Sequence, residues 1–164
     1  MTTRVAAAAF VLAAGSAVAA ESGTFAVRVL TPETALKAAQ AALAKCRAEG
    51  FQVTVAVVDR SGITQALLRD RFAPPHSVET AQRKAQTAVN FKMDTAALDA
   101  EMQPGKPAAG LRQLPNMVAV AGGKVIEGAG SLLGAIGVSG APGPPNDDRC
   151  AAAGIAAIAE DLEF

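Results

Sequence analysis

The sequence is poor in the side chains that most often build protein sites. It contains no Trp and no Tyr, and only six Phe, one His and two Cys among 164 residues. Two cysteines cannot make a disulfide-rich scaffold or a cysteine-ligated zinc finger. The missing Tyr and Trp also remove a tyrosine general acid and two side chains that dominate protein interfaces. A site in this chain must therefore use His, carboxylates, Lys, Arg, Ser, Thr, Met or backbone groups.

The sequence also lacks an excess of either charge. It has 15 Lys and Arg against 15 Asp and Glu, and no run of basic residues is longer than two. Nucleic-acid binding usually needs a basic surface and aromatic side chains on which bases stack. We therefore expect no nucleic-acid partner. The length is that of one domain, and it is sufficient for a core without a metal or a disulfide framework.

Long hydrophobic runs are absent as well. The apolar run at residues 5–14 is too short to span a bilayer as a helix, so we expect no membrane span. It follows Arg4 and precedes small residues, which is the pattern of a secretion signal peptide. We predict a signal peptide over residues 1–20, with a disordered alanine-rich tail as the alternative, and a single domain over residues 21–164. Such a protein would work in the periplasm or as a secreted protein, where disulfides can form.

The first half of the predicted domain contains two helices separated by a hairpin. Thr31 and Gly50 are typical residues for a helix start and a helix end. The β-branched run at residues 52–59 is apolar on both faces, which predicts a central strand, and residues 63–69 follow as its hairpin partner. A second helix is predicted over residues 78–91.

The second half is predicted to contain three strands. A short helix at residues 94–102 comes first, and strands are expected at residues 117–121, 124–127 and 131–139. Gly122-Gly123 would form the tight turn between the first two of these strands.

The last helix is predicted to begin at Asp147 or Asp148, since either side chain can cap it. The predicted order of elements is then α-β-β-α-α-β-β-β-α, with hairpins on both sides of a helical insert. This order favours an antiparallel sheet with helices packed on it, which is the α+β class.

Five short motifs follow one another along the predicted domain. They lie at residues 57–62, 81–88, 122–123, 134–140 and 148–154. In order and spacing they resemble the GlcG/HbpS heme-binding family, and the chain is also similar to the C-terminal domain of PduO-type proteins. The resemblance implies a profilin-like fold, that is, a five-stranded antiparallel sheet with helices packed on it. It also implies assembly into a homo-oligomer.

The resemblance further implies a secreted protein that binds heme and either sequesters it or assists its degradation. Heme iron needs an axial ligand, most often His, together with an apolar pocket and cations for the propionates. His76 is the only histidine and follows two prolines at a helix start, so it is the candidate ligand of the heme iron. Arg69, Arg71, Arg83 and Lys84 lie near it in sequence and are candidate partners of the propionates.

These residues also have simpler interpretations. His76 can be an ordinary surface histidine, and Lys84 can pair with Asp59 or with carbonyl groups at a strand end. The chain also offers three alternative iron ligands, Met93, Met102 and Met117. Methionine more often fills a core, which counts against all three.

Cys46 and Cys150 form a candidate disulfide. They are placed near the end of the first predicted helix and near the start of the last one. In a profilin-like fold these terminal helices are expected to lie antiparallel on one face, which would bring the two thiols together. The alternative is two buried, reduced thiols that act as small hydrophobic side chains.

Three classes of function stay open. The first is the secreted heme-binding protein. The second is a binding module for another small ligand, an organic acid or a corrinoid, and the third is a structural or regulatory homo-oligomer without a ligand. No Ser/His/acid or Cys/His set occurs at a recognisable spacing, so no catalytic residue is predicted, and any heme degradation would rest on the bound iron.

Overall fold

The computed structural model describes residues 23–163, and the predicted signal peptide therefore lies outside the described residues. The helices and strands in chain order are α1 (Pro32–Ala48), β1 (Thr54–Asp59), β2 (Thr64–Arg69), α2 (Ser77–Phe91), α3 (Thr95–Glu101), β3 (Gly123–Gly128), β4 (Ser131–Ser139) and α4 (Pro144–Ala156). Short 3₁₀ helices are found at Ala109–Gln113 and Glu160–Leu162. No helix in this part of the chain is both long enough and apolar enough to cross a membrane.

The strands form one antiparallel sheet in the order β2-β1-β4-β3. β1 pairs with β2 on one side and with β4 on the other, where Val57 lies opposite Ile136. All residues of β1 except the last are buried, because helices cover both faces of the sheet. The predicted central strand and the α+β class are therefore confirmed.

The helices are divided between the two faces of this sheet. α1 and α4 pack on one face and on each other, and α2 covers the other face across β1, β4 and β3. The larger core lies under α1 and α4 and includes Val55, Val57, Ile136 and Val138. The smaller core, under α2, is formed by Val58, Ala85, Ala88, Val89 and Ala135.

Glycine and alanine allow α2 to lie very close to β4. A Cβ atom on Gly137 would stand 2.0 Å from the carbonyl oxygen of Ala81 and 2.7 Å from the backbone nitrogen of Ala85. These distances are well inside van der Waals contact, so the helix backbone rests directly on the strand. Gly137 therefore serves the packing of α2 on the sheet.

The sheet of the described residues has four strands, whereas five were expected. The missing strand is the segment at residues 117–121, which has no strand partner. Its backbone groups are satisfied by side chains of the helices: Val118 N donates to Thr87 Oγ1 at 3.0 Å, and Thr95 Oγ1 donates to the carbonyl of Val120 at 2.7 Å. The five-stranded, profilin-like detail is therefore not confirmed.

Gly122-Gly123 is correspondingly not a turn between two strands. Gly123 is the first residue of β3, and β3 is joined to β4 by a turn at Ala129-Gly130. Both turn residues have positive φ angles, 44° and 73°, as a two-residue hairpin turn of this kind requires.

Cys46 and Cys150 form a disulfide in the structure. Both residues are fully buried between α1 and α4, and their Cα atoms are 5.6 Å apart. The bridge joins residues 104 positions apart and ties the two helices of one face together.

Candidate functional site

A cleft of about 280 Å³ lies where the start of α2 faces the end of β4. It is lined by Pro74, His76, Thr80, Lys84, Val118, Val120, Ser139, Gly140, Ala141, Gly143, Pro144 and Asp147. We call it the His76 cleft. Because it contains the only histidine of the chain and one of the candidate cations, it is the candidate functional site.

His76 stands at the mouth of this cleft, exposed and directly before α2. It is the N-cap residue of α2, but its side chain makes no capping hydrogen bond. Its backbone is held firmly, because its carbonyl accepts hydrogen bonds from Thr80 N at 3.1 Å and from Thr80 Oγ1 at 2.9 Å. The imidazole is therefore an accessible side chain on a fixed backbone.

Ser77 is the first residue of α2 and lies buried. Its hydroxyl donates to the carbonyl of Pro74 at 2.6 Å and shares a hydrogen bond with Thr54 Oγ1 at 2.7 Å. These bonds fasten the start of α2 to β1, and they set the position of the preceding His76.

Lys84 lies at the floor of the cleft and is only 3% exposed. Its Nζ donates to Asp147 Oδ2 at 2.8 Å and to the carbonyl oxygen of Val138 at 3.0 Å. The strand-end carbonyl was among its expected partners, but the carboxylate is Asp147 and not Asp59. The side chain thus holds α2, β4 and the start of α4 together.

Asp147 was expected to cap α4, but the helix begins earlier, at Pro144, and the Asp147 carboxylate is buried instead. Its Oδ1 accepts a hydrogen bond from Ala141 N at 3.0 Å. Burial raises the pKa of Asp147 above its usual value, and the Lys84 ammonium opposes that rise. The two opposite charges compensate each other, so the floor of the cleft is polar with little net charge.

Gly122 explains why a Gly-Gly pair stands in this part of the sequence. It has a φ of +116°, and a Cβ atom there would lie 2.7 Å from Asp147 Cβ and 2.9 Å from Lys84 Nζ. A side chain at this position would push the ion pair apart. The only signal of this arrangement in the sequence is the Gly-Gly pair itself, since Lys84, Gly122 and Asp147 are far apart along the chain.

Apolar residues form much of the wall of the His76 cleft. Pro74, Val118, Val120 and Pro144 contribute to it, and Val120 is 41% exposed. The cleft therefore combines an exposed imidazole, an apolar wall and a buried ion pair. Chemically, this arrangement can supply one nitrogen ligand to a metal and apolar contacts to a flat group.

The other candidate cations are not part of this cleft. Arg83 forms an ion pair with Glu79, one turn away on α2, and Arg71 is exposed just before Phe72. Arg69 Nη2 donates to the carbonyl of Ala73. Among the described residues, Lys84 is the only Lys or Arg that lines the His76 cleft, and its ammonium is already paired.

None of the three methionines reaches the His76 cleft either. Met102 is fully buried with Leu98 and Ala119, as expected for a core residue. Met93 and Met117 do not line the cleft. In the described part of the chain, His76 is therefore the one side chain at this cleft with a strong nitrogen ligand for iron.

The motifs and the cleft can now be compared with known proteins. A family model described as "Haem degrading protein HbpS-like" matches residues 30–156 of this chain. The chain belongs to this HbpS-like family. The resemblance found in the sequence is thereby confirmed.

Solved structures of similar proteins agree with this chain in fold. A crystal structure of a double mutant of HbpS from Streptomyces reticuli is 39% identical, covers 87% of this chain and 97% of its own, and has a TM-score of 0.77. The protein ORFY from Klebsiella pneumoniae is 26% identical over 85% of this chain and 97% of its own, with a TM-score of 0.80.

The relation to PduO is also found. The crystal structure titled PduOC:Heme complex is 31% identical, covers 79% of this chain and 95% of its own, and has a TM-score of 0.75. The corrinoid adenosyltransferase PduO from Citrobacter freundii is 38% identical over 98 residues. The match covers 57% of this chain and 29% of that protein. The chain thus spans less than a third of the length of this relative.

Proposed function

We propose that this protein binds heme at the His76 cleft, with His76 as the axial ligand of the iron. Membership of the HbpS-like family and the likeness to a PduOC structure in complex with heme support a heme-related role. The observation that carries the site assignment is the exposed imidazole of His76 beside an apolar wall. The protein would sequester heme or assist its degradation.

The residues of the His76 cleft fit a heme group in part. His76 can supply the nitrogen ligand, and Val118 and Val120 can supply apolar contacts to the ring. The volume of about 280 Å³ is just below the range of about 300–1,000 Å³ for ligand pockets, so the cleft can enclose only part of a porphyrin. The rest of the ring would lie on the surface, where Arg71 and Arg83 stay candidates for the propionates. The ammonium of Lys84 is already paired with Asp147, so this side chain would form part of the floor of the cleft and would not bind a propionate.

Titration of the purified protein with hemin tests the proposal. We expect a Soret band at one heme per chain, and we expect His76→Ala to shift that band or remove it. Arg71→Ala and Arg83→Ala should weaken binding without moving the band. Lys37→Ala removes an exposed cation of α1, on the other face of the sheet, and serves as the control. It should change neither the Soret band nor the affinity for hemin. An unchanged band in His76→Ala would show that the iron is held elsewhere.

A corrinoid is the second candidate ligand. The specific observation in its favour is the similarity to a corrinoid adenosyltransferase, and an imidazole such as His76 can also ligate cobalt. A parallel titration with cobalamin separates the two, because a ligand at 100 times its dissociation constant raises stability by about 2.7 kcal/mol. Stabilisation by cobalamin but not by hemin would favour the corrinoid. An organic acid is less well supported, since the cation of the cleft is already neutralised by Asp147.

We further propose that the protein is exported and works in the periplasm or as a secreted protein. The pattern of residues 1–20 supports export, and the Cys46–Cys150 disulfide suits an oxidising compartment. Mass spectrometry of the protein from periplasmic and culture fractions should give a chain that has lost about twenty residues. Full-length protein in the cytoplasm alone would contradict this proposal.

We also propose that the chain assembles into a homo-oligomer. Phe25, Val27 and Val29 expose apolar side chains at the start of the described chain, and Phe72 exposes its ring before α2. Burial of such residues between copies is favourable. Light scattering of the full chain measures the assembly directly, and a monomer at all concentrations would rule it out.

A further inference from the structure

A second cleft, of about 350 Å³, lies at the other end of α2. It is lined by Ser61, Gly62, Ile63, Gln86, Thr87, Asn90, Phe91, Leu114, Pro115, Asn116 and Met117. We call it the amide cleft. His76 and Asn90 are separated by almost the whole length of α2, which at the rise of an α-helix corresponds to roughly 20 Å. The two clefts are therefore distinct sites.

The lining of the amide cleft contains no ionisable side chain. Its polar groups are the amides of Gln86, Asn90 and Asn116 and the hydroxyls of Ser61 and Thr87. A charged ligand would find no counter-charge among these side chains. The composition therefore selects against carboxylates, phosphates and amines, and so against the propionates of a heme.

Two of the amides are available to a ligand. Asn90 and Asn116 are exposed, and within residues 23–163 their side chains have no hydrogen-bond partner. Gln86 Nε2, by contrast, donates to the carbonyl of Gly62 at 3.2 Å, and Thr87 Oγ1 accepts from Val118 N at 3.0 Å. Each free amide offers both donors and an acceptor, which is the pattern that matches hydroxyl groups.

The backbone holds one of these amides at the cleft in an uncommon conformation. Asn116 has a φ of 64°, in the left-handed region that few residues other than glycine adopt. Asn tolerates this region better than most residues, and the conformation follows directly after Pro115. The loop thus places Asn116 at the cleft, together with the α2 residues that line it.

Apolar side chains complete the lining. Ile63 is 63% exposed and Leu114 is 48% exposed, and both line the cleft together with Phe91. These side chains offer apolar surface to a ligand in the cleft. A ligand that presents both C–H groups and hydroxyl groups would match this mixture of apolar surface and amides.

We propose that the amide cleft binds a small, uncharged, polyhydroxylated ligand, a sugar of about monosaccharide size. The volume lies within the range of small-molecule pockets. The selectivity comes from the lining: amides for the hydroxyl groups, apolar side chains for the C–H faces, and no charge to recognise an acid or an amine.

Nuclear magnetic resonance of the full chain tests this proposal. The probes are glucose, galactose, mannose and N-acetylglucosamine, with glucuronate and glucosamine as charged analogues. At roughly 10 mM, a sugar with a dissociation constant near 1 mM would be about nine-tenths saturating. We expect at least one neutral sugar to shift the side-chain amide signals of Asn90 and Asn116, and its charged analogue to bind at least tenfold more weakly.

Two variants and one control make the test specific. Asn90→Ala removes one amide and raises helix propensity, so a loss of binding cannot come from a weakened helix. Asn116→Gly removes the other amide and keeps the positive φ accessible. Each should weaken binding at least tenfold, whereas Gln103→Ala, an exposed amide outside the cleft, should not.

Three results would overturn the proposal: no shift with any neutral sugar, equal binding of the charged analogues, or binding unchanged in both variants. Hemin titration of Asn90→Ala should match the wild type, which separates this site from the His76 cleft.

Discussion

At the scale of single residues, Lys84 shows how burial changes the role of a charge. From the sequence it was a candidate partner of a propionate, but its ammonium is buried and paired with Asp147. Breaking a buried pair from one side leaves an uncompensated charge, which costs much more than removing both partners.

A double-mutant cycle on this pair tests the assignment. We expect Lys84→Met and Asp147→Asn each to lower the free energy of unfolding by about 3 kcal/mol. The double variant should lose clearly less than the sum of the two, because it leaves no unpaired charge. Urea denaturation measures the free energy of unfolding of all three variants.

Arg83→Met is the matched control for Lys84→Met, since it alters the neighbouring and partly exposed ion pair with Glu79. Its effect should stay below about 1 kcal/mol. Additive losses in the double variant would mean that Lys84 and Asp147 do not interact as the structure places them.

Gly137 is the residue at which close packing is most demanding. Because a Cβ atom would collide with the backbone of α2, Gly137→Ala should cost at least about 3 kcal/mol of stability. Gly110→Ala is the control, since a Cβ atom there meets nothing within 4 Å. Thermal unfolding of both variants should show a large decrease in Tm for the first and almost none for the second. Equal decreases would contradict the close contact of α2 with β4.

At the scale of elements, α1 and α4 form one layer because their contacting residues are small. A Cβ atom on Gly154 would stand 2.7 Å from the carbonyl of Ala38, and Ala35, Ala39 and Ala42 are all fully buried. The helices therefore approach closely enough for Cys46 and Cys150 to bridge them. The alanine-rich sequence of both helices is explained by this contact.

Removal of the bridge should be strongly destabilising. A crosslink between residues 104 positions apart restricts the unfolded chain, and a loop of this length corresponds to about 4–5 kcal/mol in the chain-entropy model. We expect the Cys46→Ala/Cys150→Ala double variant to lose most of that amount in urea denaturation. Dithiothreitol should destabilise the wild type and leave the double variant unchanged. If dithiothreitol does not lower the stability of the wild type, even when it is added to the fully unfolded chain before refolding, the thiols are not bridged.

The elements themselves were predictable where one local pattern decided them. α1 begins at Pro32 with Thr31 as its cap, and β1 and β2 form the expected hairpin. The segment at residues 117–121 was mistaken for a strand because its composition is apolar. Its backbone groups are satisfied by Thr87 and Thr95, and a contact with side chains so distant in sequence leaves no local pattern.

At the scale of the whole molecule, stability in acid should depend on a link between α1 and the chain that leaves β2. The buried carboxylate of Asp70 accepts hydrogen bonds from Arg47 Nε at 2.7 Å and from Arg47 Nη2 at 3.0 Å. The hydrogen bond from Arg47 lowers the pKa of Asp70 below its usual value, against the effect of burial. A depressed pKa gives stability that is present above the unfolded-state pKa and is lost as the pH falls through the folded-state pKa.

Asp70→Asn should therefore lower the free energy of unfolding by about 2 kcal/mol at neutral pH. The difference between wild type and variant should shrink as the pH falls below the ordinary range of a carboxyl group, because the wild-type carboxylate is then protonated. Urea midpoints over a pH series measure this convergence. Asp161→Asn, in an exposed ion pair with Lys37, is the control and should have little effect at any pH. A constant difference across the series would contradict the role of the Asp70 charge.

Local patterns of apolar residues, prolines, glycines and caps were sufficient to predict the α+β class and to single out His76. The resemblance to the family came from the order and spacing of five motifs along the chain. The tertiary structure sets which residues share a cleft with His76: it brings in Asp147 and Val120, and it leaves Arg71 and Arg83 outside. It also gathered Asn90 and Asn116 into a second cleft. The physical reason is that a site is formed by side chains from separate elements, whose distances depend on how closely helices and strands pack.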